Sequence, residues 1–379
     1  MALDETPPPT RVYRAAVIGC GRMGSTIDDE AAASNSPHYP YPWAHAAAYH
    51  ESRRYRVVAG ADVDEGRLAD FRRRWGASGL FPDFRRLLAD ERPEVVSVTT
   101  RPTERVEVVH ACAESGVRAV FVTKPLALRL AEADAMIETC RQHGVLLVVA
   151  AHLNWDPWYE AARALFDSAL GAAPPYVPGQ PAAPPAVSVL GRVRSLVCHS
   201  PHPLSNIQSH TLCLFRRFVG SPVAWVVGEM DDPLAAAGGE PDLSGSGYLA
   251  YANGARGFLN SHVGRAGIGW HLEFLGDRGW FTSLNAHATH DVWALLPGQT
   301  EPARLQFPNP RTPRSSMLAA VDALADDLDR RATVTACPGE FGREALEVAI
   351  ALRESHRRGS VPVHLPLEDR TLGLGVPAA

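Results

Sequence analysis

The sequence predicts an α/β protein: a doubly wound parallel sheet first, then an α+β domain with an open, mostly antiparallel sheet. Three observations predict it. Short apolar runs alternate with helical patterns over residues 12–150. The glycine pattern GCGRMG, residues 19–24, follows the first of those runs directly. Beyond Asp156 and Pro157 the pattern changes to strand-like runs that follow one another closely.

A length of 379 residues predicts about two domains. They are placed at 10–150, with an insertion at about 25–43, and at 151–372. An apolar fraction of 46% and a charged fraction of 21% are ordinary for a globular chain. A net charge of −5 without a basic stripe argues against nucleic acid as a partner. No apolar run approaches the ~20 residues of a membrane span. The first residues, MALDETPPPTRVYR, carry no apolar signal region and no twin arginine, so a cytoplasmic protein is expected. Cysteines 20, 112, 140, 198, 213 and 337 form no CxxC pair, and no HExxH occurs. Reduced thiols and no metal site are therefore expected.

The elements run in order. Residues 12–18 (VYRAAVI) form a first strand ending at the glycine pattern, and 55–61 (YRVVAGA) form a second, followed by Asp62. Further strands are read at 95–99, 118–122 and 145–150, with helices at 105–115 and 130–143. In a strand–GxGxxG context Gly19 makes the tight turn. Gly21 lets backbone approach a pyrophosphate, and Gly24 lets helix pack on strand. The plain alternative is a glycine-rich βα turn. Asp62 would accept from adenosine ribose hydroxyls, which favours NAD; Arg67 nearby keeps NADP as the less favoured cofactor. Arg22 and Met23 belong to the same turn, and Thr100, Arg101 and Pro102 follow the third strand, so all five are cofactor-side candidates. Gly24 and Asp62 stand 38 residues apart, well beyond the usual ~20. The excess, STIDDEAAASNSPHYPYPW, is read as an inserted loop because its prolines exclude a single helix.

In the second half, strands are read at 192–198, 223–230, 247–251, 255–261, 270–275 and 292–296, and a closing amphipathic helix at 340–357. One residue stands out by composition. Lys124 is the only lysine in the chain. Codon bias toward arginine explains the rest, but arginine cannot replace a group that must also lose a proton.

At this point the chain resembles the Gfo/Idh/MocA oxidoreductases, the glucose–fructose oxidoreductase and inositol dehydrogenase group. VIGCGRMG resembles the family's first turn. VVSVTTRPTERVEVVHACAESGVRAVFVTKPLAL resembles its third strand, next helix and Glu-Lys-Pro strand end. SNIQSHTLCLFRRFVG resembles its Asp-x-x-x-His helix, and LEVAIALRESHRRGSVPVHLP its closing helix and tail. The resemblance implies an N-terminal Rossmann dinucleotide-binding domain plus a C-terminal α+β sheet domain. It implies hydride exchange between a nicotinamide and a sugar, cyclitol or related polyol, in a homodimer or homotetramer. Lys124 falls at the family's catalytic lysine and His210 at its acid/base histidine; a buried, satisfied histidine is the plain alternative. His152, Asn154 and Trp155 follow the fifth strand, where relatives line the substrate pocket. Two positions depart from the pattern: Thr123 stands for the glutamate and Asn206 for the aspartate. Loss of a carboxylate beside Lys124 removes a term that keeps it protonated. Asn206, four residues before His210, shares its helix face and can still orient a hydroxyl. These departures leave two other functions open: a redox-neutral epimerase, lyase or glycosidase with tightly held NAD, and a non-catalytic sensor.

Overall fold

The computed structural model describes residues 11–34, 40–166, 188–200, 204, 208–230, 244–261, 270–284, 289–310, 314–330 and 336–374. Asn206 lies outside the described residues, as do His38 and Tyr39 of the insertion.

The first sheet holds β1 (Tyr13–Ile18), β2 (Tyr55–Ala61), β3 (Gly79–Phe81), β4 (Val95–Val98), β5 (Ala119–Val122) and β6 (Leu146–Val149) in the order β3-β2-β1-β4-β5-β6. Every neighbouring pair is parallel. β4 and β5 are buried at every residue, which is why they read as unbroken apolar runs. The chain order reverses between β1 and β4, and open α/β sheets bind ligands at such a point.

Helices follow the strands. After β1 come α1 (Ile27–Ser34) and α2 (His45–Glu51). The inserted segment is therefore not all loop, as the sequence had led us to expect. Its prolines, 37, 40 and 42, all lie beyond Ser34, and Asp28, Asp29 and Glu30 favour a helix start. Asp28 then accepts from the backbone N–H of Trp43 at 2.6 Å, drawing the far end of the insertion back onto α1. α3 (Glu65–Trp75) is capped by Asp64, which accepts from Arg67 N, and α4 (Phe84–Glu91) by Asp83. α5 (Pro102–Glu114) opens on a proline whose missing N–H costs nothing there. α6 (Leu130–Gln142) leads to β6, and a short α7 (Pro157–Arg163) follows it.

The second sheet comprises β7 (Val193–His199), β8 (Val223–Met230), β9 (Gly245–Tyr251), β10 (Arg256–Asn260), β11 (His271–Gly276), β12 (Gly279–Leu284), β13 (Thr289–Ala294), β14 (Ala303–Leu305) and β15 (Val363–His364). Their order is β14-β13-β12-β11-β7-β10-β9-β8-β15, antiparallel except where β7 meets β10. α8 (Gln208–Val219) and α10 (Gly339–Arg357) cover one face. Helix and sheet approach closely: a Cβ on Gly228 would stand 2.3 Å from Leu352 O. Phe215, Phe218, Phe274 and Phe281 fill the layer between, with Phe218 and Phe274 centroids 4.4 Å apart. The opposite face carries Trp225, Tyr248 and Phe258 in ring contact and a Trp280–Trp293 stack.

α9 (Ser316–Arg330) crosses back to the first sheet. Tyr55 donates its hydroxyl to Val321 O at 2.6 Å, and Ser52 to Asp322 at 2.6 Å. Arg54 pairs with Asp326 at 2.8 Å and with Asp329, which Tyr13 also contacts. Among the described residues no helix is long and apolar enough to cross a membrane.

Candidate active site

A cleft of about 220 Å³ opens where the carboxyl ends of β1, β4, β5 and β6 meet α8. Its first wall is the glycine turn. Gly19 has φ +95°, and a Cβ there would lie 2.9 Å from Thr99 C and Thr100 N. A Cβ on Gly24 would lie 2.0 Å from Gly19 O. Only glycine permits this packing of turn on strand. Arg22 begins a π-helical turn, Arg22–Thr26, and its exposed guanidinium pairs with Glu30 at 2.7 Å. Met23 lines the cleft beside it.

Asp62 closes β2. Its Oδ2 accepts from Cys20 N at 2.8 Å and its Oδ1 from Asp64 N at 3.0 Å. The carboxylate is thus fixed against the back of the glycine turn, with Arg67 Nη1 3.7 Å away. After β4, Thr100 and Pro102 line the cleft, while Arg101 caps α5 with its side chain exposed.

The second wall follows β5. Lys124 is half-buried and lines the cleft ahead of a cis bond to Pro125. Thr123 is buried; its hydroxyl accepts from Arg105 Nη2 at 2.9 Å. After β6, His152 turns its Nδ1 to Ser316 Oγ on α9, 2.7 Å away. From α8 comes His210, 5% exposed, with its ring edge-on to His152 at 4.7 Å and to Trp270 at 5.8 Å. Its Nδ1 is buried without a partner. Burial, then repulsion from His152 and Lys124, holds this imidazole well below its ordinary range. His210 is therefore neutral at physiological pH and is able to accept a proton or a hydrogen bond.

Lys124, His152 and His210 thus line one cleft. Asn154 and Trp155 are not brought to it. Asn154 is fully buried and donates to Ala151 O at 2.9 Å; Trp155 sets its ring edge-on against Phe121 at 6.3 Å. Both brace the turn that presents His152. Of the sheet-domain histidines, His271 contacts Glu273 at 3.2 Å and the ring of His199 at 5.4 Å. Among the described residues no group of His, Cys, Asp and Glu could hold a metal ion.

Residues 42–151 match the family model described as "Oxidoreductase family, NAD-binding Rossmann fold". Over these residues the chain is similar to the Gfo/Idh/MocA oxidoreductases. It is similar to D-apiose dehydrogenase of Paraburkholderia graminis, 29% identical over 45% of this chain and 40% of that one. The match therefore spans less than half of that relative. It is also similar to myo-inositol 2-dehydrogenase of Thermotoga maritima, 26% identical over 79% of this chain and 88% of that one. Among solved structures, an oxidoreductase from Agrobacterium radiobacter in complex with NAD+, L-tartaric acid and magnesium superposes with a TM-score of 0.70. It is 17% identical and covers 93% of this chain and 98% of its own. Aldose-aldose oxidoreductase from Caulobacter crescentus, complexed with glycerol, gives 0.70 at 18% identity over 94% and 100%. At those identities the structures establish the fold.

The matched fold is NAD-binding, and the turn fits that cofactor. The cradle at Gly19 and Gly24 leaves backbone open to phosphates, and the Asp62 carboxylate stands beside it for a ribose. Two further titratable residues of the cleft were not found from the sequence. His45 opens α2, fully buried, with Nδ1 2.8 Å from Ser97 Oγ and Nε2 unpartnered. Arg105 is 2% exposed on α5. A signal for Arg105 did exist: it shares the buried face with Val108, Val109 and Cys112, a charge on an apolar stripe at helical spacing.

Proposed function

We propose that the chain is an NAD-dependent dehydrogenase or reductase acting at a hydroxyl-bearing carbon of a sugar, cyclitol or related polyol. The observation that carries this reading is the convergence of Lys124 and His210 on the cleft that begins at the glycine turn. NAD, when bound, takes or returns the hydride. The protein's own groups handle the proton and the charge. Lys124 as an ammonium stabilises a developing alkoxide. His210, neutral and with one ring nitrogen unpartnered, accepts the hydroxyl proton or passes it on. His152, held by Ser316, packs edge-on to His210 and fixes its ring. Asn206 precedes His210 by four residues and serves in the same reading as an orienting group.

The reading extends to a two-domain division at 10–150 and 151–372, a cytoplasmic location and a homodimer or homotetramer. Phe258 and Leu275, 39% and 46% exposed on the uncovered face of the second sheet, support pairing through that face. The test is turnover of a panel of sugars and cyclitols with NAD, read as NADH absorbance. Lys124→Ala is expected to lose about 10²–10⁴-fold in turnover while NADH affinity changes little. Full activity in that variant overturns the assignment. Product without net NADH moves it to a redox-neutral enzyme of the same site.

A further inference from the structure

We propose that the substrate carries a carboxylate beside its hydroxyls: a sugar acid or hydroxy acid, not a neutral polyol. This rests on the oxidoreductase reading above and narrows it.

The described side chains that line the cleft include Arg105, Lys124, His45, His152 and His210, and no aspartate or glutamate. Two carboxylates by the glycine turn are already engaged. Glu30 pairs with Arg22 at the mouth, and Asp62 holds Cys20 N behind the glycine turn. The sequence around the reacting end agrees. Residues 143–155, which carry His152, and 198–213, which carry His210, contain no acidic residue. Thr123, which stands where the family resemblance has glutamate, leaves this end without a carboxylate.

Arg105 makes the imbalance concrete. Its guanidinium donates to Pro125 O, to Thr100 O at 2.7 Å and to Thr123 Oγ1 at 2.9 Å. All three acceptors are neutral. Its Nε is buried and unpartnered. Among the described residues Arg105 has no ion pair. A buried cation without a counter-charge is costly, and such groups are normally paired. Burial lowers this guanidinium to about 9, which still leaves it charged at neutral pH. Through Thr123 and Pro125, Arg105 flanks Lys124 on both sides in sequence, so two cationic side chains attend one strand end. His210 Nδ1 and His45 Nε2 are further buried polar atoms without partners along the same walls. A hydroxy acid answers this set. Its carboxylate supplies the missing negative charge, and its hydroxyl meets Lys124 and His210. A neutral polyol leaves the charge uncompensated.

The experiment uses the full chain loaded with NADH and calorimetric titration of matched ligands: D-glucuronate against D-glucose, and D-gluconate against D-sorbitol. Each acid is expected to bind at least about tenfold more tightly than its neutral partner, with the gap narrowing at high salt. Arg105→Met is expected to shrink that gap, and Arg105→Lys to retain part of it. Equal or tighter binding of the neutral partners overturns the proposal, as does failure of both acids to bind the loaded protein. A third result also overturns it: Arg105→Met weakening NADH itself while the acid-to-neutral ratio stays unchanged. The charge would then serve the dinucleotide phosphates. These ligand comparisons in the unmodified protein stand even if the variants do not fold. Failure of NADH to bind at all would instead remove the oxidoreductase reading.

Discussion

Acidification is expected to weaken this fold through His45. The side chain is fully buried, with Nδ1 on Ser97 Oγ at 2.8 Å and Nε2 unpartnered. Burial first, then repulsion from His152 and Arg105, lowers its pKa to about 3. In the unfolded chain it returns to roughly 6.5. The folded value lies below the unfolded one, so the unfolded state binds the proton first. Stability is therefore lost as pH falls below roughly 6.5, and the loss levels off only near the folded value. Between about pH 7 and about pH 5 this single group removes about 1.9 kcal/mol. His210, lowered for the same leading reason, adds in the same direction. Urea unfolding midpoints of the wild type and of His45→Gln, each at both pH values, measure it. The variant loses stability at neutral pH, but its acid-induced loss is smaller than the wild type's by about 1.9 kcal/mol. Identical acid-induced losses in the two proteins would refute the reasoning.

Other outcomes follow from single contacts. Gly24→Ala places a Cβ 2.0 Å from Gly19 O, so it is expected to cost at least about 2 kcal/mol and to abolish NADH binding, read by denaturation and by fluorescence titration. Asp62→Ala releases Cys20 N and removes the ribose acceptor. NADH affinity is expected to fall about tenfold and discrimination against NADPH to narrow, since Arg67 loses its carboxylate neighbour. Tyr55→Phe leaves Val321 O without its donor and is expected to cost about 1–2 kcal/mol in urea midpoint, with the KM for the cofactor unchanged.

The first sheet was legible because its strands are buried on both faces and so read as apolar runs. Residues 55–61 form a strand at those bounds, and the other strand ends read in this sheet moved by one residue at most. What stayed hidden has physical causes. β3 is three residues long and sits at the sheet edge, too short for any periodicity. Periodicity alone did not assign β12, which alternates buried and half-buried residues, because its buried set, Gly279, Phe281 and Ser283, holds a single large apolar side chain; only the family resemblance, through LEFLGDRGWFTSLN, reads a strand there. α9 is plainly amphipathic, yet its partners lie some 270 positions earlier in the chain, as at Ser52 and Asp322. In the site, Lys124 announced itself by composition and His210 by resemblance. Arg105 did not, because a charged residue on a helix is normally assigned to solvent. Asn154 and Trp155 were expected at the ligand from their strand-end position and from the resemblance; both are buried and neither lines the cleft.

The path of α9 bears on engineering. A chimera that takes its nucleotide module from a relative by cutting after residue 150 would lose Tyr55, Ser52 and Arg54 and leave α9 facing foreign side chains. The transferable unit is discontinuous: the first 150 residues together with 314–330. Ser316 at the start of that helix also holds His152, so a mismatched α9 would misplace a cleft side chain as well as loosen the scaffold. Recombination among such enzymes therefore has two crossover points to respect, and a library built on one will be filled mostly with chains that fail to fold.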